Sequence, residues 1–219
     1  MIAQAVEAFA EFPLRRLSVE LCAPVSELKC ELQLEQLRRG SSTQFVRFVL
    51  LQENQVVIHG SATCGLPRSS ALDCSTAKEL PSYNVPPIPR TPLMPPFSQH
   101  FIYRLTTGEL PMSGHKITPL ITGGWITPRC QSPIDIAVIL GAIDGWWPAL
   151  YLATRNPVAM GTISFAADIV KQSNWAEGPM YIESTTTHCT EGYAIEENRL
   201  WDHTGALLAQ AQQSVAVIR

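Results

Sequence analysis

Eight of the seventeen prolines in this chain of 219 residues fall between Pro67 and Pro96, and that clustering constrains the fold more than any other feature. In Pro86-Pro87-Ile88-Pro89-Arg90-Thr91-Pro92, fixed φ angles and missing amide hydrogens forbid a helix and bar pairing as a central strand. Residues 67–96 are therefore expected to run as a semi-extended linker. They divide the chain into a first half, residues 1–66, and a second half, residues 97–219.

In the second half, Ile134 to Leu152 reads as a helix, with Ser132 able to cap it, Pro133 suited to its first turn and Asp135 favoured at the positive end of its dipole. Ile136-Ala137-Val138-Ile139-Leu140 and Trp146-Trp147 leave no polar stripe, so the helix is expected to be buried nearly all round until Pro148 kinks or ends it. Strand-like runs follow at Gly161–Val170, Met180–His188, Tyr193–Asp202 and Ala206–Ile218, with a hairpin signal at Asp202-His203-Thr204-Gly205. One buried helix followed by consecutive antiparallel strands predicts an α+β fold.

The first half repeats this plan. Pro13-Leu14-Arg15-Arg16-Leu17-Ser18-Val19-Glu20-Leu21 lies on Pro157-Val158-Ala159-Met160-Gly161-Thr162-Ile163-Ser164-Phe165, pairing Ser18 with Thr162. Gly40 then falls near Gly192, Arg47 near Arg199 and Val57-Ile58 near Leu207-Leu208, which points to an internal duplication. On that superposition the first-half helix would begin about ten residues before Met1. The first repeat is thus expected to be incomplete at its start.

The charge pattern narrows the function. The net charge is −3, and the basic residues are scattered, with Arg15-Arg16 and Arg38-Arg39 the densest pairs. No phosphate-tracking footprint is present, so a nucleic-acid partner is not expected. The first ten residues lack the pattern of a secretion signal, and no stretch of about 18 residues is apolar and free of charge. A soluble, unsecreted, cytoplasmic protein with no membrane contact is expected. Cys22, Cys30, Cys64, Cys74, Cys130 and Cys189 form no Cys-x-x-Cys pair and are expected to act mostly as small buried hydrophobes.

Gly-x-Ser-x-Gly, Gly-x-x-x-x-Gly-Lys and His-Glu-x-x-His are all absent. His188 and Cys189 would point to opposite faces of a strand, so no metal site is expected there, and no cofactor is implied. Asp144 is more informative. It lies among apolar residues, where an unpaired carboxylate is costly, so it must face solvent, find donors or perform a task.

Glu191-Gly192-Tyr193 and Leu200-Trp201-Asp202-His203-Thr204-Gly205-Ala206-Leu207-Leu208-Ala209-Gln210-Ala211-Gln212-Gln213 resemble the C-terminal hairpin of the acyl-CoA thioesterase II family. Leu37-Arg38-Arg39-Gly40 and Gln52-Glu53-Asn54-Gln55-Val56-Val57 are similar to its first-repeat hairpin. The resemblance implies a double hotdog, in which each of two repeats wraps an antiparallel sheet around a long helix. It also implies a catalytic set of a helix Asp, a strand Ser or Thr and a last-strand Gln, matched here by Asp144, Thr162 and Gln213. Gln212 should point to the opposite face.

The implied reaction is hydrolysis of an acyl thioester, on coenzyme A or a carrier protein, with Asp144 as general base toward water. Trp146 and Trp147 are candidate walls of an acyl pocket, Gly124 is a candidate substrate-binding residue, and an amide in Gly123-Gly124-Trp125 or near Gly141 is a candidate oxyanion donor, with the choice among them open. Two other readings stay open: a dehydratase, isomerase or cyclase acting on an acyl or polyketide intermediate, and an acyl-binding module without turnover. The incomplete first repeat should leave apolar surface exposed, which predicts a homodimer.

Overall fold

A computed structural model describes residues 1–26, 29–69, 71–72, 74–92, 94–111, 113, 116–129, 134–156, 158–170 and 178–218. Its first element is a helix, α1 (Ile2–Ala10), whose Ala3, Val6 and Ala10 are buried. Four strands follow: β1 (Leu14–Leu21), β2 (Glu31–Arg39), β3 (Thr43–Gln52) and β4 (Gln55–Gly65). After residues 67–96 come β5 (Phe101–Thr107), β6 (Ile121–Pro128) and a second helix, α2 (Ile136–Asp144). The chain ends with β7 (Ala159–Ile169), β8 (Met180–Thr190), β9 (Tyr193–Trp201) and β10 (Leu207–Ile218).

Among the described residues ten strands join one sheet in the order β2-β3-β4-β1-β7-β10-β9-β8-β6-β5. Every adjacent pair is antiparallel. The order reads outward from the β1–β7 seam as β1-β4-β3-β2 on one side and β7-β10-β9-β8 on the other, so a helix followed by four strands occurs twice. Both helices pack into one core with inward residues such as Leu17, Val46, Phe48, Phe165, Ile182 and Leu200. Alternation along each strand accounts for this. In β9, Ala194, Glu196, Asn198 and Leu200 face the core while Tyr193 and Ile195 face out.

Several expectations need correction. The first-half helix does not precede Met1: α1 is within the chain. The superposition failed because it assumed equal connections. Residues 11–13 alone join α1 to β1, whereas residues 145–158 join α2 to β7. The second helix is also shorter than expected. It ends at Asp144, and the rest of the expected span is residues 145–148 without regular structure and a 3-10 turn, Ala149–Ala153.

Asp135 caps α2, its side chain accepting from the Val138 amide at 2.9 Å. Ser132 and Pro133, expected at this end, lie outside the described residues. By length and composition Ile136–Ala153 could cross a membrane, but half of it is buried in the protein and its apolar character is that of a core segment. Cys64 is buried, whereas Cys22, Cys30, Cys74 and Cys189 are exposed, against expectation; Cys130 lies outside the described residues. They sit in loops or on outward strand positions, where small size brings no burial.

The described residues of the proline-rich segment form neither helix nor strand until Pro96, consistent with its composition. It is nevertheless bound along the second half. The Lys78 amide donates to the Gly205 carbonyl at 2.9 Å, the Ile88 amide to the Tyr103 carbonyl at 2.8 Å, and Trp125 Nε1 to the Ser82 carbonyl at 3.3 Å.

Candidate active site

The strand pairings establish which residues of the two halves correspond. In the second half a β-bulge at Ile163 makes Ser164 face Ser214 but Thr162 face Val215. In the first half a bulge at Arg15 makes Arg16 face Thr63 but Leu14 face Cys64. Thr162 therefore corresponds to Leu14, not Ser18, and Gln213 corresponds to Ala62, not Thr63. The last helical residues, Asp144 and Ala10, correspond as well.

The bulge also aims Thr162. Phe165, Ala167 and Ile169 of β7 are buried, so strict alternation would send Ile163 inward and Thr162 outward. The extra residue resets the phase. Ile163 is left 39% exposed, and Thr162 shares the inner face with Gln213.

Thr162, Gln213 and Asp144 form a hydrogen-bonded chain. Thr162 Oγ1 donates to Gln213 Oε1 at 2.8 Å, and Gln213 Nε2 donates to Asp144 Oδ1 at 3.2 Å. A carboxylate only accepts, so the amide nitrogen must face Asp144 and its oxygen must face the threonine hydroxyl. Gln213 is buried and Gln212 exposed. Asp144, at the end of α2, is exposed to solvent along an open edge. Protein atoms crowd its remaining sides, and this desolvation pushes its carboxyl above the ordinary range, with the Gln213 bond pulling the other way. The open edge limits how far the shift can go; its upward direction stands.

The remaining candidates surround this chain at different distances. Trp146, two residues after Asp144 in sequence, is buried and stacks on Trp147 with ring centroids 4.2 Å apart. Gly124 lies in β6, separated from β10 by β8 and β9. Along the sheet that is about 14 Å at the usual strand spacing. A Cβ there would lie 2.0 Å from the Arg104 carbonyl oxygen and 2.8 Å from the Trp146 ring, so glycine permits the close packing of Trp146.

Two polar residues absent from the sequence-based set enter the same region. Glu196 of β9 pairs directly with Gln213 across the hairpin and is 1% exposed. Its Oε2 accepts from the Ala149 amide at 3.1 Å and Ser184 Oγ at 3.1 Å. Its Oε1 accepts from the Leu150 amide at 3.2 Å and from Thr186 Oγ1. Burial pushes this carboxyl upward while the four donors pull it down. Asn198 is buried two residues further, its Nδ2 donating to the Ile143 carbonyl at 3.3 Å. Sequence alternation does not single them out, because each phase of Tyr193-Ala194-Ile195-Glu196-Glu197-Asn198-Arg199-Leu200 carries two apolar and two polar residues.

Residues 1–65 match the model of the acyl-CoA thioesterase N-terminal domain, and residues 74–217 that of the acyl-CoA thioesterase C-terminal domain. The chain belongs to the acyl-CoA thioesterase family. No curated protein sequence matches it significantly. Solved structures extend the likeness of this thioesterase-family chain. A conserved protein of unknown function with a hotdog fold from Alicyclobacillus acidocaldarius is 22% identical, with a TM-score of 0.86 over 99% of this chain and 85% of its own. An acyl-CoA thioesterase II from Mycobacterium marinum is 15% identical, with a TM-score of 0.68 over 94% of this chain and 81% of its own. A polyketide synthase enoyl-isomerase is 11% identical, with a TM-score of 0.57 over 97% and 86%. The fold of this thioesterase-family chain is a hotdog fold.

Proposed function

We propose that this thioesterase-family protein hydrolyses acyl thioesters, with Asp144 as the general base and Thr162 and Gln213 as the residues that orient it. The hydrogen-bonded chain from Thr162 through Gln213 to Asp144 carries this reading. Thr162 fixes the amide, so one Nε2 hydrogen is committed to Asp144 and the other can hold a water beside the carboxylate. That water attacks the thioester carbonyl carbon and gives a proton to Asp144. The tetrahedral oxyanion then collapses, the carbon–sulfur bond breaks, and the proton on Asp144 passes to the departing thiolate. A free thiol and a carboxylic acid result.

The same reading treats the chain as a double hotdog, with a first repeat over residues 1–66, a connecting segment over 67–96, and a second repeat over 97–219 that holds the single site. Trp146 and Trp147 form an apolar wall for the acyl group, and Gly124 lets Trp146 sit against β6. The carrier is coenzyme A or an acyl carrier protein. The protomer pairs into a homodimer. Outward-facing Tyr193, Ile195, Ile163 and Ile218 are exposed on neighbouring strands and support this assembly.

Thiol release from a panel of acyl-CoA substrates of graded chain length tests the reaction. Saturable hydrolysis of at least one is expected. Binding without thiol release would instead support the acyl-binding module, and a changed acyl chain still attached to coenzyme A would support the dehydratase or isomerase class.

A further inference from the structure

We propose that Glu196 and Asn198 are positioning residues for Asp144, gripping the chain on either side of it from the inner face of β9. The proposal rests on the reading of Asp144 as the base. Asn198 Nδ2 holds the Ile143 carbonyl, the peptide group leading into Asp144. Glu196 holds the Ala149 and Leu150 amides beyond it. Between these grips, residues 145–148 have no regular structure, so no backbone ladder fixes them. A carboxylate at the very end of a helix keeps its place only if that exit is held.

Glu196 is itself immobilised. Each of its oxygens accepts one backbone amide and one hydroxyl, from Ala149 and Ser184 on Oε2 and from Leu150 and Thr186 on Oε1. Gln213, directly opposite Glu196 in the β9–β10 pairing, binds the Asp144 carboxylate itself. One hairpin thus supplies three neighbouring grips: on the carboxylate, on the peptide before it and on the amides after it.

The first half supplies an internal control. In the β3–β4 pairing, Val46 faces Ala62 and Phe48 faces Gly60; in the β9–β10 pairing, Glu196 faces Gln213 and Asn198 faces Ala211. Val46 and Phe48 therefore stand where Glu196 and Asn198 stand, and both are buried. The same backbone packs with apolar residues at these positions where the helix ends in Ala10. The polar pair occurs in the half that carries Asp144, which also has the longer α2–β7 connection that Glu196 holds, so comparison in the Asp144→Asn background is what separates positioning of the base from support of that connection.

The test uses Asn198→Leu and Glu196→Gln in the full chain, alone and with Asp144→Asn. Each variant is followed by thiol release from acyl-CoA, thermal unfolding and amide hydrogen exchange. Misplacement of a catalytic group by about 1 Å can cost about 10²-fold, so each single variant is expected to lower kcat about 10–100-fold with KM within about threefold. With Asp144→Asn already present, the same changes should cost less than about twofold, because no base remains to be positioned. Exchange at Ala149 and Leu150 should quicken in Glu196→Gln.

Parental kcat in a folded Asn198→Leu protein overturns the proposal, as does an equal fold-loss in both backgrounds. If Glu196→Gln does not fold, Thr186→Val removes one hydroxyl that holds Glu196 and gives the same comparison. If Asp144→Asn itself keeps parental hydrolysis, the general-base reading fails instead. The exchange rates at Ala149 and Leu150 then decide alone whether the grip exists, and unchanged rates in Glu196→Gln refute it.

Discussion

Gln213 Nε2 donates to Asp144 Oδ1 at 3.2 Å, joining the last strand of the sheet to the last residue of the core helix. That bond spans 69 residues of sequence and sets what each substitution around it should do.

Asp144→Asn keeps the shape of the side chain and removes the base. Since a general base contributes about 10²–10⁴-fold, kcat for thioester hydrolysis should fall by that order with KM nearly unchanged. Gln213→Ala and Thr162→Ala should cost less, and either combined with Asp144→Asn should be less than additive, because all act on one water. Steady-state thiol release measures all of these.

The pH dependence follows from the raised Asp144 carboxyl, shifted by desolvation and partly restored by Gln213. A base works when deprotonated, so the acid limb of kcat/KM should lie above the ordinary carboxylate range. Gln213→Leu removes the lowering bond and should move it higher. For stability, a carboxyl raised on folding binds its proton more tightly in the folded state. Its contribution is present below the unfolded value and is lost as pH rises through the folded one. Asp144→Asn should therefore flatten the unfolding midpoint against pH over that window.

The first half should carry no second site, since Ala10, Leu14 and Ala62 occupy the places of Asp144, Thr162 and Gln213. Ser18→Ala and Thr63→Ala should leave kcat within about threefold of the parent, far short of the general-base range. A loss equal to that of Thr162→Ala in either variant would contradict the assignment.

Gly205 closes the β9–β10 hairpin with φ +87°, and a Cβ there would sit 2.2 Å from the Lys78 carbonyl oxygen. Gly205→Ala should strain the turn and push the proline-rich segment off the second half. A loss of about 1–3 kcal/mol of stability is expected for a non-glycine residue forced into such a conformation, read as a lowered midpoint in denaturant.

The outward apolar residues Tyr193, Ile195, Ile163 and Ile218 should be covered by a second copy of the chain. Sedimentation at micromolar concentration is expected to give about twice the 24.1 kDa protomer mass. Only protomer, with Tyr193→Lys sedimenting identically, would exclude the dimer.

Sequence alone determined what depends on local periodicity and backbone chemistry. Alternating apolar residues marked β7 to β10 to within a few residues, and the proline run excluded regular structure before Pro96. The Asp202-His203-Thr204-Gly205 turn was equally legible. Asp202 Oδ1 accepts from the Thr204 and Ala206 amides, and despite partial burial these and the Thr204 hydroxyl bond hold its carboxyl below the ordinary range. Asp144, Thr162 and Gln213 were named through a family resemblance, because nothing local distinguishes such residues from other polar ones on strands and helix ends.

Only the tertiary structure decided their meeting and their surroundings. The bulge at Ile163 turns Thr162 inward against the strand's own period, and a bulge reflects pairing with a neighbouring strand, which no single segment encodes. The bulges and the unequal helix–strand connections also explain why a sequence superposition matched Ser18 to Thr162 and placed the first helix before Met1. Glu196 and Asn198 lie on the inner face of β9, which the balanced alternation of that segment does not reveal, and their partners at residues 143, 149 and 150 are supplied by a segment 46–55 residues away. A buried polar side chain acquires its role from the donors and acceptors that folding brings to it, and those are fixed by the packing of helix on sheet.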